Sequence, residues 1–454
     1  MASKWVVVPL EQLKAQTKSA FAMGPFGSKI KAENFTTVGV PVIKGGNLNA
    51  TYLDESDFDF LTQEKADELE SAKARRLDIV ITHRGTLGQV GLIPENSKYE
   101  EYVVSQSQLK MSFDINRVDP YFVYYFLKSP LGQSRLLSNV SQVGVPAIAQ
   151  ALTSVRAIEI PIPENRSEQV RISSILRSLD AKISLNCGIN QTLEAMAQAI
   201  FKSWFVDFDP VKAKIAAIEQ GEEPLRAAMR TISGKTDAEL DQMPREHHDQ
   251  LVAAAELFPD AMEEPELGDI PKGWEVKRVG DLIELAYGKA LKSTDRKQGS
   301  VPVYGSGGVT GYHNEALVPH GAIIVGRKGT VGRLYWEDEP FFPIDTTFYV
   351  KPKVLPMTYC FYAMQTLGLD KMNTDAAVPG LNRENVYRLE LVKPPTSVLN
   401  AFDGLIGQTR KAMRANEIAS QSLAELRDSL LPKLLSGELA IDKMAGLVDT
   451  TGAI

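Results

Sequence analysis

The chain repeats its own sequence, and this repeat limits the possible folds more than any single motif does. Ordered self-similarity indicates a duplicated architecture. The apolar series Leu193, Met196, Ile200 and Trp204 returns as Leu423, Leu426, Leu430 and Leu434. Four other segments recur in the same order: "WVVVPLEQL" (5–13) as "WEVKRVGDL" (274–282), "VPVIKGG" (40–46) as "VPVYGSGG" (301–308), "IVITHRGTLGQV" (79–90) as "IIVGRKGTVGRL" (323–334), and "VGVPAI" (143–148) as "AAVPGL" (376–381).

Both copies have the same internal plan. Short apolar runs separated by Gly, Pro and Asn predict strands and turns with a few helices. In each copy, a proline-containing segment then leads from this globular part into one long helix. We therefore predict an α/β (α+β) fold in which two similar globular domains are joined by two long antiparallel coiled-coil helices, with pseudo-twofold internal symmetry. The predicted divisions are a first globular domain (1–165), a first helix (166–206), an acidic connector (207–268), a second globular domain (269–396), a second helix (397–440) and a C-terminal tail (441–454).

The two long helices each carry a heptad stripe that needs a partner. Alternating steps of four and three residues from Ile172 to Trp204 give a series that is apolar at both ends and polar in the middle. Asn186 and Asn416 occupy matching positions, where they either set the register of the pair or face solvent. The residues predicted to pair the helices are Leu176, Leu179, Ile183, Asn186, Leu193, Ile200, Ile406, Met413, Asn416, Leu423 and Leu430.

Composition predicts a cytoplasmic protein without a metal or cofactor site. The net charge of −7 is concentrated in residues 207–268, which hold 15 acidic and 6 basic residues, so the two globular domains are close to neutral. Cys187 and Cys360 form no metal-ligand spacing, and no signal peptide or membrane-length apolar run is present in the sequence. The acidic connector is expected to avoid nucleic acid, because both are negatively charged.

The motifs of common enzyme classes are missing from the sequence. It contains no GxxxxGK[ST] phosphate loop, no GxSxG nucleophile elbow and no GxGxxG between a strand and a helix. We therefore predict that the chain has no catalytic residues of its own.

Basic glycine-rich segments are the best candidates for contacts to nucleic acid. A tight Gly-Thr turn exposes backbone N–H groups and a hydroxyl that can hold a phosphate, while neighbouring cations reach outward. The alternative is a pair of ordinary hairpin turns with solubilising charges. The predicted nucleic-acid contacts are Lys29, Lys31, Lys44, His83, Arg84 and Thr86 in the first copy, and Lys289, Lys292, Arg296, Lys297, Tyr304, Arg327, Lys328, Thr330 and Arg333 in the second.

The chain resembles the specificity subunits of type I restriction-modification systems over nearly its whole length. The similar segments are "GPFGSKIK" (24–31), "VPVIKGGNL" (40–48), "RGTLGQVGLIP" (84–94), "AMAQAIFKSWFVDFDPVKAK" (195–214), "LGDIPKGWEVKRVGDL" (267–282), "RKGTVGRLYW" (327–336) and "LRDSLLPKLLSGEL" (426–439). The helix-end segments are specific in combination, whereas the Gly-Thr turns alone are weak signals.

The resemblance implies a function in DNA recognition. Each globular domain would read one half of an asymmetric, two-part site in double-stranded DNA, and the helix pair would span the unread gap. The helices would also bind two methyltransferase subunits, through which nuclease/translocase subunits join. The assembled complex would be a DNA adenine methyltransferase and ATP-dependent endonuclease, with no cofactor bound by this chain. The alternatives are a coiled-coil adaptor without base readout and the specificity module of a fused restriction-methylation enzyme.

Overall fold

The computed structural model describes residues 4–26, 29–141, 144–264, 268–372 and 380–439. These residues form two compact units. The first unit comprises the described parts of 1–186 and 419–454, and the second unit comprises the described part of 187–418. The predicted C-terminal tail, 441–454, lies outside the described residues.

The first unit contains a four-stranded antiparallel sheet in the order β2-β10-β7-β8 and a five-stranded sheet in the order β3-β5-β4-β9-β6, with β1 paired to β13 and β11 to β12. Strands β4 and β9 are parallel. The strands are β1 (Trp5–Pro9), β2 (Phe21–Met23), β3 (Phe35–Thr36), β4 (Val40–Ile43), β5 (Asp59–Leu61), β6 (Lys73–Arg75), β7 (Ile79–Thr82), β8 (Val90–Leu92), β9 (Glu101–Val104), β10 (Gln108–Met111), β11 (Val140–Ser141), β12 (Ala147–Ile148) and β13 (Glu159–Pro163). The helices are α1 (Gln63–Asp67), α2 (Pro120–Lys128), α3 (Pro130–Leu136) and α4 (Ala151–Arg156).

One long helix and four short ones follow. Helix α5 spans Arg166–Phe205, and the connector folds into α6 (Asp209–Gln220), α7 (Pro224–Ser233), α8 (Asp237–Asp241) and α9 (Arg245–Glu256). The connector buries a small core of its own, which includes Met229 and Leu240. The connector is part of the second unit, where the ring of Phe258 packs 5.0 Å from that of Trp204 near the end of α5.

The second unit repeats the sheet plan of the first. A four-stranded antiparallel sheet has the order β17-β23-β20-β21, a three-stranded sheet has the order β19-β18-β22 with β18 and β22 parallel, and β14 pairs with β15 and β16 with β24. The strands are β14 (Met262–Glu263), β15 (Ile270–Pro271), β16 (Glu275–Arg278), β17 (Ile283–Tyr287), β18 (Val301–Gly305), β19 (Gly308–His313), β20 (Ala322–Gly326), β21 (Leu334–Glu337), β22 (Phe342–Pro343), β23 (Thr347–Pro352) and β24 (Glu390–Lys393). The helices are α10 (Val279–Leu282), α11 (Met357–Gln365), α12 (Arg383–Tyr387) and α13 (Thr396–Leu435).

The internal repeat is therefore visible in the topology. The sheet β2-β10-β7-β8 corresponds to β17-β23-β20-β21, and the pair β1-β13 corresponds to β16-β24. The central strands β7 and β20 are buried along their whole length, which explains why both read as continuous apolar runs rather than alternating ones. The predicted α/β (α+β) fold with two similar globular parts and two long helices is confirmed.

The long helices pack antiparallel within each unit. In the first unit, Ile172 and Leu176 near the start of α5 share a core with Leu431 and Leu434 near the end of α13. In the second unit, the end of α5 packs against the start of α13, where Phe201 lies 5.8 Å from Phe402. The heptad stripes are thus buried against each other and against the globular parts.

Candidate nucleic-acid interface

The two Gly-Thr turns, residues 83–89 and 327–333, have the same backbone geometry. Gly85 and Gly88 have φ values of 96° and 85°, and Gly329 and Gly332 have values of 84° and 73°. At these positive φ values a residue with a side chain would strain the backbone, so the turn requires glycine. Space is limited as well, because a Cβ on Gly332 would lie 2.3 Å from the carbonyl carbon of Leu369.

A second repeated segment holds each Gly-Thr turn from one side. In the first unit, Gly85 N donates to Pro146 O at 2.8 Å and Ile148 N donates to His83 O at 2.9 Å. In the second unit, Leu381 N donates to Arg327 O at 2.8 Å. The match between "VGVPAI" and "AAVPGL" therefore has a structural reason, although residues 142–143 and 373–379 lie outside the described part of the chain.

The repeated segments "VPVIKGG" and "VPVYGSGG" end beside the same turns. In the first unit, Gln89 Nε2 donates to Gly45 O at 3.0 Å. In the second, Tyr335 Oη donates to Ser306 O at 3.1 Å, and a Cβ on Gly329 would lie 3.2 Å from Ser306 Oγ. Each unit thus gathers three repeated segments into one loop cluster.

Most of the predicted DNA contacts lie on the surface. Lys31 is within 3.5 Å of Glu33, and Lys44 forms an ion pair with Asp59, so these two cations are partly neutralised. The exposed members of the set are Lys29, Lys31, Lys44, Arg84, Thr86, Lys289, Lys292, Lys297, Lys328, Thr330 and Arg333.

Two of the predicted DNA contacts, His83 and Tyr304, are buried, which removes both from the candidate interface. His83 Nε2 lies 3.2 Å from Gln106 O, and burial lowers its pKa, which favours the neutral ring. Tyr304 Oη donates to Glu337 Oε2 at 2.9 Å. Tyr304 lies in strand β18 and packs in a small core with Phe341, and His83 directly follows the buried strand β7. The spacing of aromatic and cationic residues along the sequence does not reveal this burial.

The two half-buried arginines of the predicted set are anchored by the protein. Arg296 Nη1 donates to Thr310 O at 2.7 Å, which fixes the loop before β18 to strand β19. Arg327 Nη1 donates to Asp345 O at 3.0 Å. Their guanidinium groups are therefore held in place rather than free to follow a ligand.

Two residues that the sequence did not single out, Tyr287 and Arg383, join this cluster. The guanidinium carbon of Arg327 lies 4.9 Å from the ring centroid of Tyr287, and that of Arg383 lies 5.0 Å from it. We call these three residues the arginine–tyrosine stack. A signal was present in the sequence, because "LAYG" (285–288) aligns with "FAMG" (21–24) and Arg383 follows the repeated "AAVPGL" segment.

The residues predicted to pair the helices are all at least half-buried. Leu176, Asn186, Ile406 and Met413 are buried. The half-buried members are Leu179, Ile183, Leu193, Ile200, Asn416, Leu423 and Leu430.

Helix α5 also carries a second heptad series, two residues out of step with the first, on its solvent side. Between Ser174 and Ala199 the series contains no charged residue, although a solvent-exposed helix face is normally charged, and Arg171 and Lys202 occupy its next positions on either side. We call it the outward series: Ser174, Ser178, Ala181, Leu185, Gly188, Thr192, Ala195 and Ala199, all of which are exposed.

The described residues include no group of three His, Cys, Asp or Glu side chains that could hold a metal ion. Among the same residues, no helix is both long and apolar enough to cross a membrane.

Comparison with known proteins identifies the family. Residues 23–195 and 271–403 each match the type I restriction modification DNA specificity domain. The chain is 29% identical over 395 residues to the type I restriction enzyme HindI specificity subunit of Haemophilus influenzae, covering 76% of this chain and 84% of the relative. It is 21% identical over 355 residues to the MjaIX specificity subunit of Methanocaldococcus jannaschii, covering 71% and 70%.

A solved structure has the same fold. The S subunit of a type I restriction-modification system from M. genitalium superposes with a TM-score of 0.54 at 17% identity, covering 95% of this chain and 96% of that one. The two family matches coincide with the two copies of the internal repeat. The chain belongs to the family of type I restriction-modification DNA specificity proteins.

Proposed function

We propose that each unit of this specificity subunit reads one half of an asymmetric, two-part site in double-stranded DNA through its loop cluster. The observation that carries this proposal is that three repeated segments meet at one cluster in each unit, with Arg84 and Thr86 exposed in one and Lys328 and Thr330 in the other. Exposed N–H groups, hydroxyls and cations of this kind bind phosphates and base edges.

Holding both DNA-reading units in one chain increases the discrimination between DNA sequences. A single base contact contributes about 1–3 kcal/mol, so a unit that reads a few base pairs discriminates poorly alone. The two contacts become effectively intramolecular when one chain holds both readers, and their preferences then combine. We assign four of the six predicted divisions to this function, with DNA-reading globular domains at 1–165 and 269–396 and helices at 166–206 and 397–440. The acidic connector, 207–268, carries the chain between them.

The long helices are proposed to bind two methyltransferase subunits. The outward series of α5 supports this assignment, because an uncharged face of small residues lets a second helix approach closely. Exposed apolar side chains continue that side of the helix at Ile189 and Met196. Leu426 of α13 is the repeat counterpart of Met196 and is also exposed, which provides a related surface for a second subunit.

The chain itself would be non-catalytic and cytoplasmic, as a subunit that works on cellular DNA. Methylation of adenine and ATP-dependent cleavage would belong to the methyltransferase subunits and to nuclease/translocase subunits that join through them. The GxxxxGK[ST] phosphate loop typical of ATP hydrolysis is missing from the sequence, which supports that division of labour.

A long-read methylation map tests the proposal. Cells expressing the chain with its methyltransferase partner are compared with cells that lack only this chain. We expect an asymmetric two-part motif with a fixed gap that is methylated only when the chain is present. Methylation that is unchanged by removing the chain would contradict the proposal. A stable complex that methylates without sequence preference would instead favour an adaptor.

A further inference from the structure

The arginine–tyrosine stack is an ordered cationic surface feature of the second unit. Tyr287 is the last residue of β17 and keeps 47% of its surface exposed. The guanidinium carbons of Arg327 and Arg383 both lie about 5 Å from the centroid of its ring, at 4.9 and 5.0 Å, and that of Arg383 also lies 5.6 Å from the ring centroid of Tyr387. Cation–π contacts of this kind restrict a guanidinium plane that would otherwise be mobile.

The two arginines of the stack differ in how their hydrogen-bond donors are used. One donor of Arg327 is already used within the protein, because its Nη1 donates a hydrogen bond to Asp345 O. Among the described residues, the polar partner of the Arg383 side chain is the exposed carboxylate of Glu384, whose Oε1 lies 3.5 Å from Nε and from Nη2. That distance is longer than a charge-assisted hydrogen bond, so Arg383 presents a planar fork of donors that is already oriented.

We propose that Arg383 reads a guanine of the DNA site by donating two hydrogen bonds to its O6 and N7 atoms, with Tyr287 and Arg327 as positioning residues. The inference rests on the proposed function and adds a base-reading residue to it. A fixed guanidinium plane suits the flat edge of a base, which needs two donors at set positions, and arginine with guanine is the most common specific contact of this type. A phosphate does not require such a fixed plane, because a flexible lysine can also bind it as a point charge.

The first unit has different chemistry at the corresponding positions. Met23 and Gln150 stand where the second unit has Tyr287 and Arg383. His83, the counterpart of Arg327, is buried. The arginine–tyrosine stack is therefore present in the second unit and not in the first, as expected if the two units read different bases.

The test uses the full chain, expressed with its methyltransferase partner, and maps the methylated motif of four versions. These are the wild type, Arg383→Ala, Arg383→Lys and, as a control for loss of charge, Arg245→Ala in the connector, where Arg245 is 96% exposed. Both Arg383 variants should accept other bases at one G·C position in one half-site, with discrimination at that position reduced by about 5- to 150-fold. The other half-site and the control motif should stay unchanged.

The outcomes separate this inference from the proposed function. An unchanged motif in both Arg383 variants, or a uniform fall in methylation without a change at one position, would overturn base reading by Arg383 while leaving the function in place. A wild-type complex without any motif would overturn the function itself. The lysine variant keeps a cation against the rings, so it decides the question if the alanine variant fails to fold.

Discussion

Asn186 donates a hydrogen bond from Nδ2 to Ser420 Oγ at 3.2 Å, and the repeat contains the counterpart of this bond. Asn416, which corresponds to Asn186, donates from Nδ2 to Asn190 Oδ1 at 2.8 Å, and Asn190 corresponds to Ser420. Asn190 also donates to Met413 O at 2.9 Å. The polar middle of the helix pair is thus a layer of matched hydrogen bonds, which favours the register-setting interpretation over solvation.

Replacing Asn186 should weaken the chain, because the residue is buried and its partner would lose a hydrogen bond. We expect Asn186→Ala to lower the free energy of unfolding by about 1–2 kcal/mol, measured by urea denaturation followed by circular dichroism. Gln198→Ala on the exposed side of the same helix is the control and should change stability by less than about 0.5 kcal/mol. Equal stabilities for the two variants would contradict a structural role for the polar layer.

Removing only one partner of the ion pair between Asp180 and Arg427 should lower the free energy of unfolding. Arg427 Nη1 lies 2.7 Å from Asp180 Oδ1, and Tyr125 Oη donates to Asp180 Oδ2 at 2.6 Å, while the Asp180 side chain is 2% exposed. Arg427→Met leaves a buried carboxylate without its cation, so we expect a loss of about 3 kcal/mol in the free energy of unfolding.

A double variant gives the control for this ion pair. Asp180→Asn combined with Arg427→Met removes both charges and should recover part of the loss, since no buried charge is left unpaired. A double variant that is less stable than Arg427→Met would show that the pair acts in some other way.

Leucines on the two sides of α13 should respond differently to truncation. Leu434 is fully buried in the core of the first unit, whereas Leu426 is 47% exposed. We expect Leu434→Ala to cost about 2–5 kcal/mol of unfolding free energy and Leu426→Ala less than about 0.5 kcal/mol. Comparable losses in urea titrations would mean that α13 does not pack into the first unit as described.

Charge on the outward series should block the methyltransferase without harming the fold. Ala195 is exposed, so Ala195→Arg should leave the urea midpoint of the chain unchanged but weaken co-purification of methyltransferase by at least tenfold. The physical reason is that a partner helix would have to bury an unpaired charge. Gln198→Arg adds the same charge outside the series and is expected to keep the complex intact. Normal assembly of both variants would argue that methyltransferase binds elsewhere.

The burial of His83 predicts a loss of stability in mild acid. Burial lowers the pKa of His83, so the unfolded chain takes up a proton at a higher pH than the folded chain does. The contribution of this residue is therefore present above the unfolded pKa of about 6.5 and is lost as the pH falls toward the lower folded value. His83→Gln should reduce the difference between urea midpoints at pH 7.5 and pH 5.5, and an unchanged difference would contradict this assignment.

The sequence by itself determined the repeat, the α/β (α+β) class, the two heptad helices and the family, because all of these depend on residue order and period. Matched glycines such as Gly85 and Gly329 also identified the turns, since only glycine adopts their backbone geometry without strain.

Only the tertiary structure decided which of those side chains reach the surface. His83 and Tyr304 are buried, whereas Tyr287 and Arg383, nearly a hundred residues apart, meet in one stack. The pairing of Asn186 with Ser420 likewise depends on the register of two distant helices. Such contacts arise from packing between remote segments, and local periodicity carries no information about them.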